Sequence, residues 1–150
     1  MREILFKAKR LDNGEWVEGF LLICDERCLI IPETKIGCVT TEWLKKGEYA
    51  FYGFIEVDPA TVGEFSGKRD KNDRRIFEGD IGRYRQTDGA KRNGTSILCT
   101  GKVIYNTETA SYAVESRDEA GCRYFEYFPI KDFEVIGNIS DNPELLEVEE

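Results

Sequence analysis

Apolar and polar residues alternate over short stretches along most of this chain, a period of two that belongs to strands and not to helices. Ile4, Phe6 and Ala8 fall on one face of the first stretch, with Leu5 as the break in the pattern. Asn13-Gly14 follows, a pair typical of a type I′ turn, and Trp16, Glu18, Phe20 and Leu22 then alternate with Val17, Gly19 and Leu21. An N-terminal hairpin is predicted. A third strand from Cys28 stops at Pro32, where the ladder donor disappears. Thr41 to Gly47 reads as one helical turn closed by glycine or as a loop. Aromatic and β-branched residues resume from Ala50 to Val57, and Asp58-Pro59 ends the run because proline favours turns.

The stretch from Gly63 to Gly79 is rich in charge and glycine, and its composition predicts a loop. Five strands are predicted after it, at Asp80 to Thr87, Thr95 to Asn106, Ala110 to Ser116, Cys122 to Phe128 and Asp132 to Ile139. Asp88-Gly89, Asn93-Gly94, Asn106-Thr107 and Ala120-Gly121 separate them. Asn142-Pro143-Glu144 then offers a cap and a proline at the start of a short helical turn. The fold expected is all-β: an N-terminal hairpin sheet packed on a strongly bent antiparallel barrel or sandwich, with a short C-terminal helical turn. One domain spans 1–150, with sub-parts 1–64 and 76–140 joined by the charged loop.

Composition narrows the chemistry. The chain of 150 residues contains no histidine, so no Ser-His or Cys-His dyad and no His-ligated metal is available. Its five cysteines, at 24, 28, 38, 99 and 122, are odd in number and follow no signal-like segment. Reduced, buried thiols in a cytoplasmic protein are expected, with no metal and no cofactor. No apolar stretch approaches the ~20 residues needed to span a bilayer, so no membrane association is expected.

The net charge is −8, which disfavours nucleic acid as a partner of the whole molecule. Locally the balance reverses. From Gly67 to Arg92 nine lysines and arginines face five acids, whereas Asp132 to Glu150 holds seven acids and no base. Lys68, Arg69, Lys71, Arg74 and Arg75, near Phe65 and Phe77, are therefore the candidate binding residues. Gly63-x3-Gly67-Lys68-Arg69 is one residue too short for a phosphate-binding loop and lacks its Ser/Thr. Asp58, Glu64, Asp70, Asp73, Glu78 and Asp80 supply the carboxylates a metal-dependent nuclease would need, without a diagnostic spacing.

Three blocks resemble the YopX family of phage and prophage proteins: Met1 to Ala8; Val57 to Asn72 with Ile76-Phe77-Glu78-Gly79-Asp80-Ile81; and Glu134 to Ile139 with Asn142 to Leu146. They occur in the expected order over nearly the whole chain, while residues 10–50 and 86–130 match only in general character. The resemblance implies a small β-rich protein of a phage or mobile element, cytoplasmic in its bacterial host. It implies no chemistry, so no catalytic residue is assigned. Asp58, Pro59, Gly63, Gly67, Gly79 and Asp80 are its structural motif, the glycines because backbone torsions there exclude a Cβ.

The function expected is a non-enzymatic module that binds a macromolecule, most plainly a protein, through the Asp58-to-Asp80 segment or an exposed sheet edge. Self-association through such edges is a further expectation. The alternatives are weak single-stranded nucleic-acid binding through the basic region 67–92 and the carboxylate nuclease.

Overall fold

A computed structural model describes residues 1–33, 54–87, 96–118 and 120–147. The helical turn expected at Thr41 to Gly47, the start of the strand expected from Ala50, and the Asp88-Gly89 and Asn93-Gly94 turns lie outside them. The described chain is all-β. Eleven strands and two short 3-10 turns make up its regular structure. It divides into two compact units, Met1–Glu64 and Phe65–Glu150.

In the first unit, β1 (Phe6–Lys9), β2 (Trp16–Cys24), β3 (Arg27–Pro32) and β4 (Ile55–Val57) form antiparallel neighbours in the order β4-β3-β2-β1. The start of β5 (Gly63–Arg69) lies on the other side of β1, with Gly63 opposite Lys7. Ala8, Ile30 and Val57 are the fully buried centre, surrounded by Val17, Leu21, Cys28 and Ile55. Two local expectations need correction. Leu5 is buried and Ile4 exposed, so the residue that broke the alternation is the one that packs. The hairpin loop runs over the four residues between Arg10 and Glu15, whose backbones bond at 2.9 Å. Only Gly14 of the Asn-Gly pair has a positive φ, +72°, so a type I′ turn, which needs two, does not form.

The second unit holds a five-stranded antiparallel sheet in the order β10-β9-β8-β7-β11. Its strands are β7 (Asp80–Thr87), β8 (Ser96–Asn106), β9 (Ser111–Arg117), β10 (Arg123–Tyr127) and β11 (Glu134–Asn138). These follow the sequence expectation within one or two residues. The sheet is open, with β10 and β11 at its edges, so the barrel alternative falls. One face buries Tyr84, Cys99, Val103, Val114 and Val135 under Phe133 and Ile76. Glycines shape this face. A Cβ on Gly82 would run into the Phe133 ring, and one on Gly101 into Ser116 and the Glu115 carbonyl.

The segment expected as a charged loop is a hairpin. Residues 65–69 complete β5, Arg75–Phe77 form β6, and Phe65 pairs with Phe77 and Arg69 with Arg75. The register shifts between those two pairs, where Gly67 adopts φ +81°. Ser66-Gly67 is a bulge inside a strand and not a break, which composition alone does not distinguish. The C-terminal helical turn is the 3-10 segment Pro143–Leu146. Asn142 precedes it without capping it, its side chain accepting instead from the Asn138 N–H at 3.4 Å.

Candidate functional site

The motif residues hold backbone together. Asp58 accepts the Ala60 N–H at 3.0 Å and so caps the 3-10 turn Pro59–Thr61; Thr61 Oγ1 in turn accepts the Lys9 N–H. Gly63 is buried in β5 as an ordinary extended residue without a positive φ, so the torsional reason expected for the motif glycines holds at Gly67 and Gly79 and not at Gly63. Asp80 is 1% exposed, and its Oδ2 accepts the Phe77 N–H at 2.8 Å across Glu78-Gly79, where Gly79 takes φ +89°. The Gly79 N–H and carbonyl continue to the Val103 carbonyl and the Ile139 N–H, both at 2.9 Å.

Asp70, which the sequence placed inside the basic cluster, is the hub of the 70–74 turn. Its Oδ1 accepts the N–H groups of Asn72 (2.8 Å) and Arg74 (2.9 Å), and Oδ2 accepts the Val135 N–H of β11 at 3.0 Å. Burial pushes this carboxyl up. The three backbone donors, led by Val135, and the Arg74 charge outweigh burial and hold it below the ordinary carboxylate value.

Four of the five candidate cations have partners within the second unit. Arg69 lies 3.9 Å from Asp73 and donates to its carbonyl, and Lys71 pairs with Glu134 at 3.0 Å. Arg74 donates to the Val135 carbonyl at 3.4 Å, and Arg75 lies over the Phe65 ring, 5.8 Å from its centroid. Lys68 projects without an ion pair among the described residues. The six carboxylates of the nuclease reading are dispersed: Asp58, Asp70 and Asp80 bind backbone, and Glu64 faces Arg2 at 3.4 Å. Among the described residues, no three acidic or thiol groups gather as metal ligands.

The cysteines differ from the expectation of burial. Cys99 is buried, Cys28 half-buried, Cys24 and Cys122 exposed, and Cys38 lies outside the described residues. Around Cys99 lie Tyr84, Ser116 and Tyr124. Burial raises both phenols above their ordinary value. The Cys99 thiol donates to Gln86 Oε1 and to the Ile97 carbonyl, each at 3.8 Å.

The two edges of the five-stranded sheet are unlike. At β11 the 70–74 turn meets the outward backbone: the Phe133 carbonyl accepts the Lys71 N–H at 2.9 Å, and the two polar backbone groups of Val135 are bonded by Asp70 and Arg74. At β10 the Phe128 N–H donates to the Tyr112 carbonyl, and the Cys122 carbonyl accepts the Asp118 N–H. Residues alternate in direction along an antiparallel strand, so Tyr124 and Glu126 face β9 while the backbone groups of Arg123, Phe125 and Tyr127 point away from the sheet. Among the described residues no strand pairs with that side.

The side chains of the same three residues share the face opposite the core. Arg123 stands directly across from Arg117, and Phe125 from Glu115. Lys102 is the next neighbour of Glu115, and Arg83 lies opposite Thr100. Lys102 and Arg117 line a groove of about 640 Å³ together with the acids Glu115 and Glu147 and with Leu145 and Leu146. Sequence reading missed Arg117, Arg123, Phe125 and Tyr127. The signal for a shared face was there, since 123, 125 and 127 alternate in a predicted strand, but nothing in the sequence marks that strand as an edge.

The family model described as YopX protein matches residues 6–147. The chain belongs to the YopX family. Among solved structures, this YopX chain is similar to the crystal structure of protein EF1440 from Enterococcus faecalis, at 22% identity and a TM-score of 0.48, covering 98% of this chain and 100% of that one. No curated protein matches it. Among the described residues of this YopX protein no helix is long and apolar enough to cross a membrane.

Proposed function

We propose that the protein is a non-enzymatic binding module of a phage or prophage, acting in the cytoplasm of a bacterial host, that engages a protein partner by strand addition at β10. One observation carries the reading: three consecutive outward-facing residues, Arg123, Phe125 and Tyr127, present backbone donors and acceptors at a sheet edge beside exposed aromatic side chains. Main-chain bonds to an added strand supply affinity, and the alternate side chains supply specificity. The Asp58-to-Asp80 segment supports the fold in this reading. Its motif residues cap, turn and close backbone, and its cations are largely paired at home. Nucleic acid remains a weak ligand, since the molecule carries −8 overall.

A photo-crosslinking amino acid tests the reading directly. Placed at Phe125 in bacterial cells making the protein, it should give a discrete protein adduct; placed at Asp73, in the turn beside the closed edge, it should give none. Equal adducts from both positions, or adducts only to nucleic acid, would overturn it.

A further inference from the structure

The open edge carries a chemical preference of its own, which rests on β10 being the docking edge. A strand seated beside β10 sets its side chains next to Arg123, Phe125 and Tyr127 on one face and next to Tyr124 and Glu126 on the other. Arg123 already stands opposite Arg117 of β9, and like charges directly opposed destabilise a sheet. Glu115 offers Arg123 only a 4.0 Å contact, and Arg117 and Lys102 on the same face have no ion pair among the described residues, whereas Arg83, farther from β10, stands across from Glu134. A carboxylate delivered beside Arg123 relieves this repulsion. Phe125 and Tyr127, 38% and 40% exposed, call for apolar cover instead.

We infer that β10 takes an extended acidic segment of a protein partner, which sets a carboxylate beside Arg123 and apolar side chains two and four residues away beside Phe125 and Tyr127. The selection is local. The −8 charge of the chain opposes the approach of any acidic ligand, so the preference is read between ligands in one salt concentration.

The test uses the full chain and fluorescence anisotropy at physiological salt. The probe is a labelled peptide with the core Glu-Thr-Val-Thr-Val-Thr-Glu, whose symmetry lets it seat in either direction. Its counterparts carry lysine in place of both glutamates, or are a ten-residue oligo-deoxythymidine. The glutamate peptide should bind at least tenfold tighter than either, Arg123→Glu should reverse the order of the peptides, and Phe125→Pro should weaken both peptides at least tenfold. Arg123→Glu lies on an exposed side chain, and a thermal midpoint no lower than that of the wild type checks that the variant is folded. Equal binding of the two peptides, an unchanged order in Arg123→Glu, tighter binding of the oligonucleotide or no binding at all overturns the inference. A concentration-dependent dimer abolished by Phe125→Pro also overturns it, by making a second copy the occupant. If both peptides bind equally and Phe125→Pro removes both, the charge selection fails while the docking edge stands. If neither binds and the crosslinker at Phe125 gives no adduct, both fail.

Discussion

β10 and β11 flank the same sheet and differ in what meets their outward backbone. At β11, a turn from more than sixty residues earlier supplies a carboxylate, an N–H and a guanidinium to Phe133 and Val135. At β10, nothing comparable faces Arg123, Phe125 and Tyr127 among the described residues. An exposed edge is a template for pairing with another chain, and proteins that do not use one generally cover it. The closed edge therefore teaches how to read the open one: this fold has a means of protecting an edge and applies it on one side.

Removing Asp70 should have the largest effect, because it opens the covered edge. Asp70→Ala leaves three N–H groups without their acceptor, one of them on buried Val135, and a cost of about 3 kcal/mol is expected. The thermal midpoint should fall by roughly 6–12 °C, and β11 should join β10 as a pairing edge, seen as faster amide exchange at Val135. A pH dependence arises from the same group. Its folded pKa is depressed, so its contribution is complete above the ordinary aspartate value of about 3.9 and is lost as pH falls through the lower folded value. Between pH 5 and pH 2 the wild type should lose more of its midpoint than Asp70→Asn, which starts lower; parallel curves would remove Asp70 from the account.

Gly82→Ala should cost about 2 kcal/mol, since the new Cβ meets the Phe133 ring and the ring carries the backbone that Lys71 grips. An unchanged midpoint would mean that the ring is free to move, and that β11 is held by the turn alone.

A paired proline substitution sharpens the other side. Glu126→Pro removes an N–H that points to β9, whereas Phe125→Pro removes one that points away. Denaturant titration should find Glu126→Pro less stable than Phe125→Pro by about 1 kcal/mol or more. The reverse order would mean that the outward residues have been assigned to the wrong parity.

The smallest effect is expected from Lys71→Ala. Its ion pair with Glu134 is partly exposed, and loss within ~0.5 kcal/mol is expected because the backbone N–H bond to the Phe133 carbonyl is kept.

The strands of the second unit were legible because half-buried strands alternate, and Asp80–Thr87 is found where the pattern put it. Residues 63–77 were not, because a bulge glycine and outward charges have the composition of a loop. Leu5 was misread for a different reason: one residue of phase decides which face is buried, and burial is set by tertiary neighbours. Of the candidate site, Lys68 to Arg75 stood out by charge density, yet most of those charges are balanced at home. The edge residues did not stand out at all. Whether a strand lies at an edge depends on what a distant segment covers, and no local pattern records that.

The link between Asp70 and Val135 spans sixty-five residues, which gives edge protection a place in time. A chain made from its N-terminus presents the 70–74 turn and β7 well before β11 exists. During that interval β7 is itself an edge, and the carboxylate meant for Val135 faces water. Arrival of residues 133–135 closes both at once, so a nascent or truncated chain lacking them would offer both sides of the five-stranded sheet, where the finished sheet leaves β10 open among the described residues.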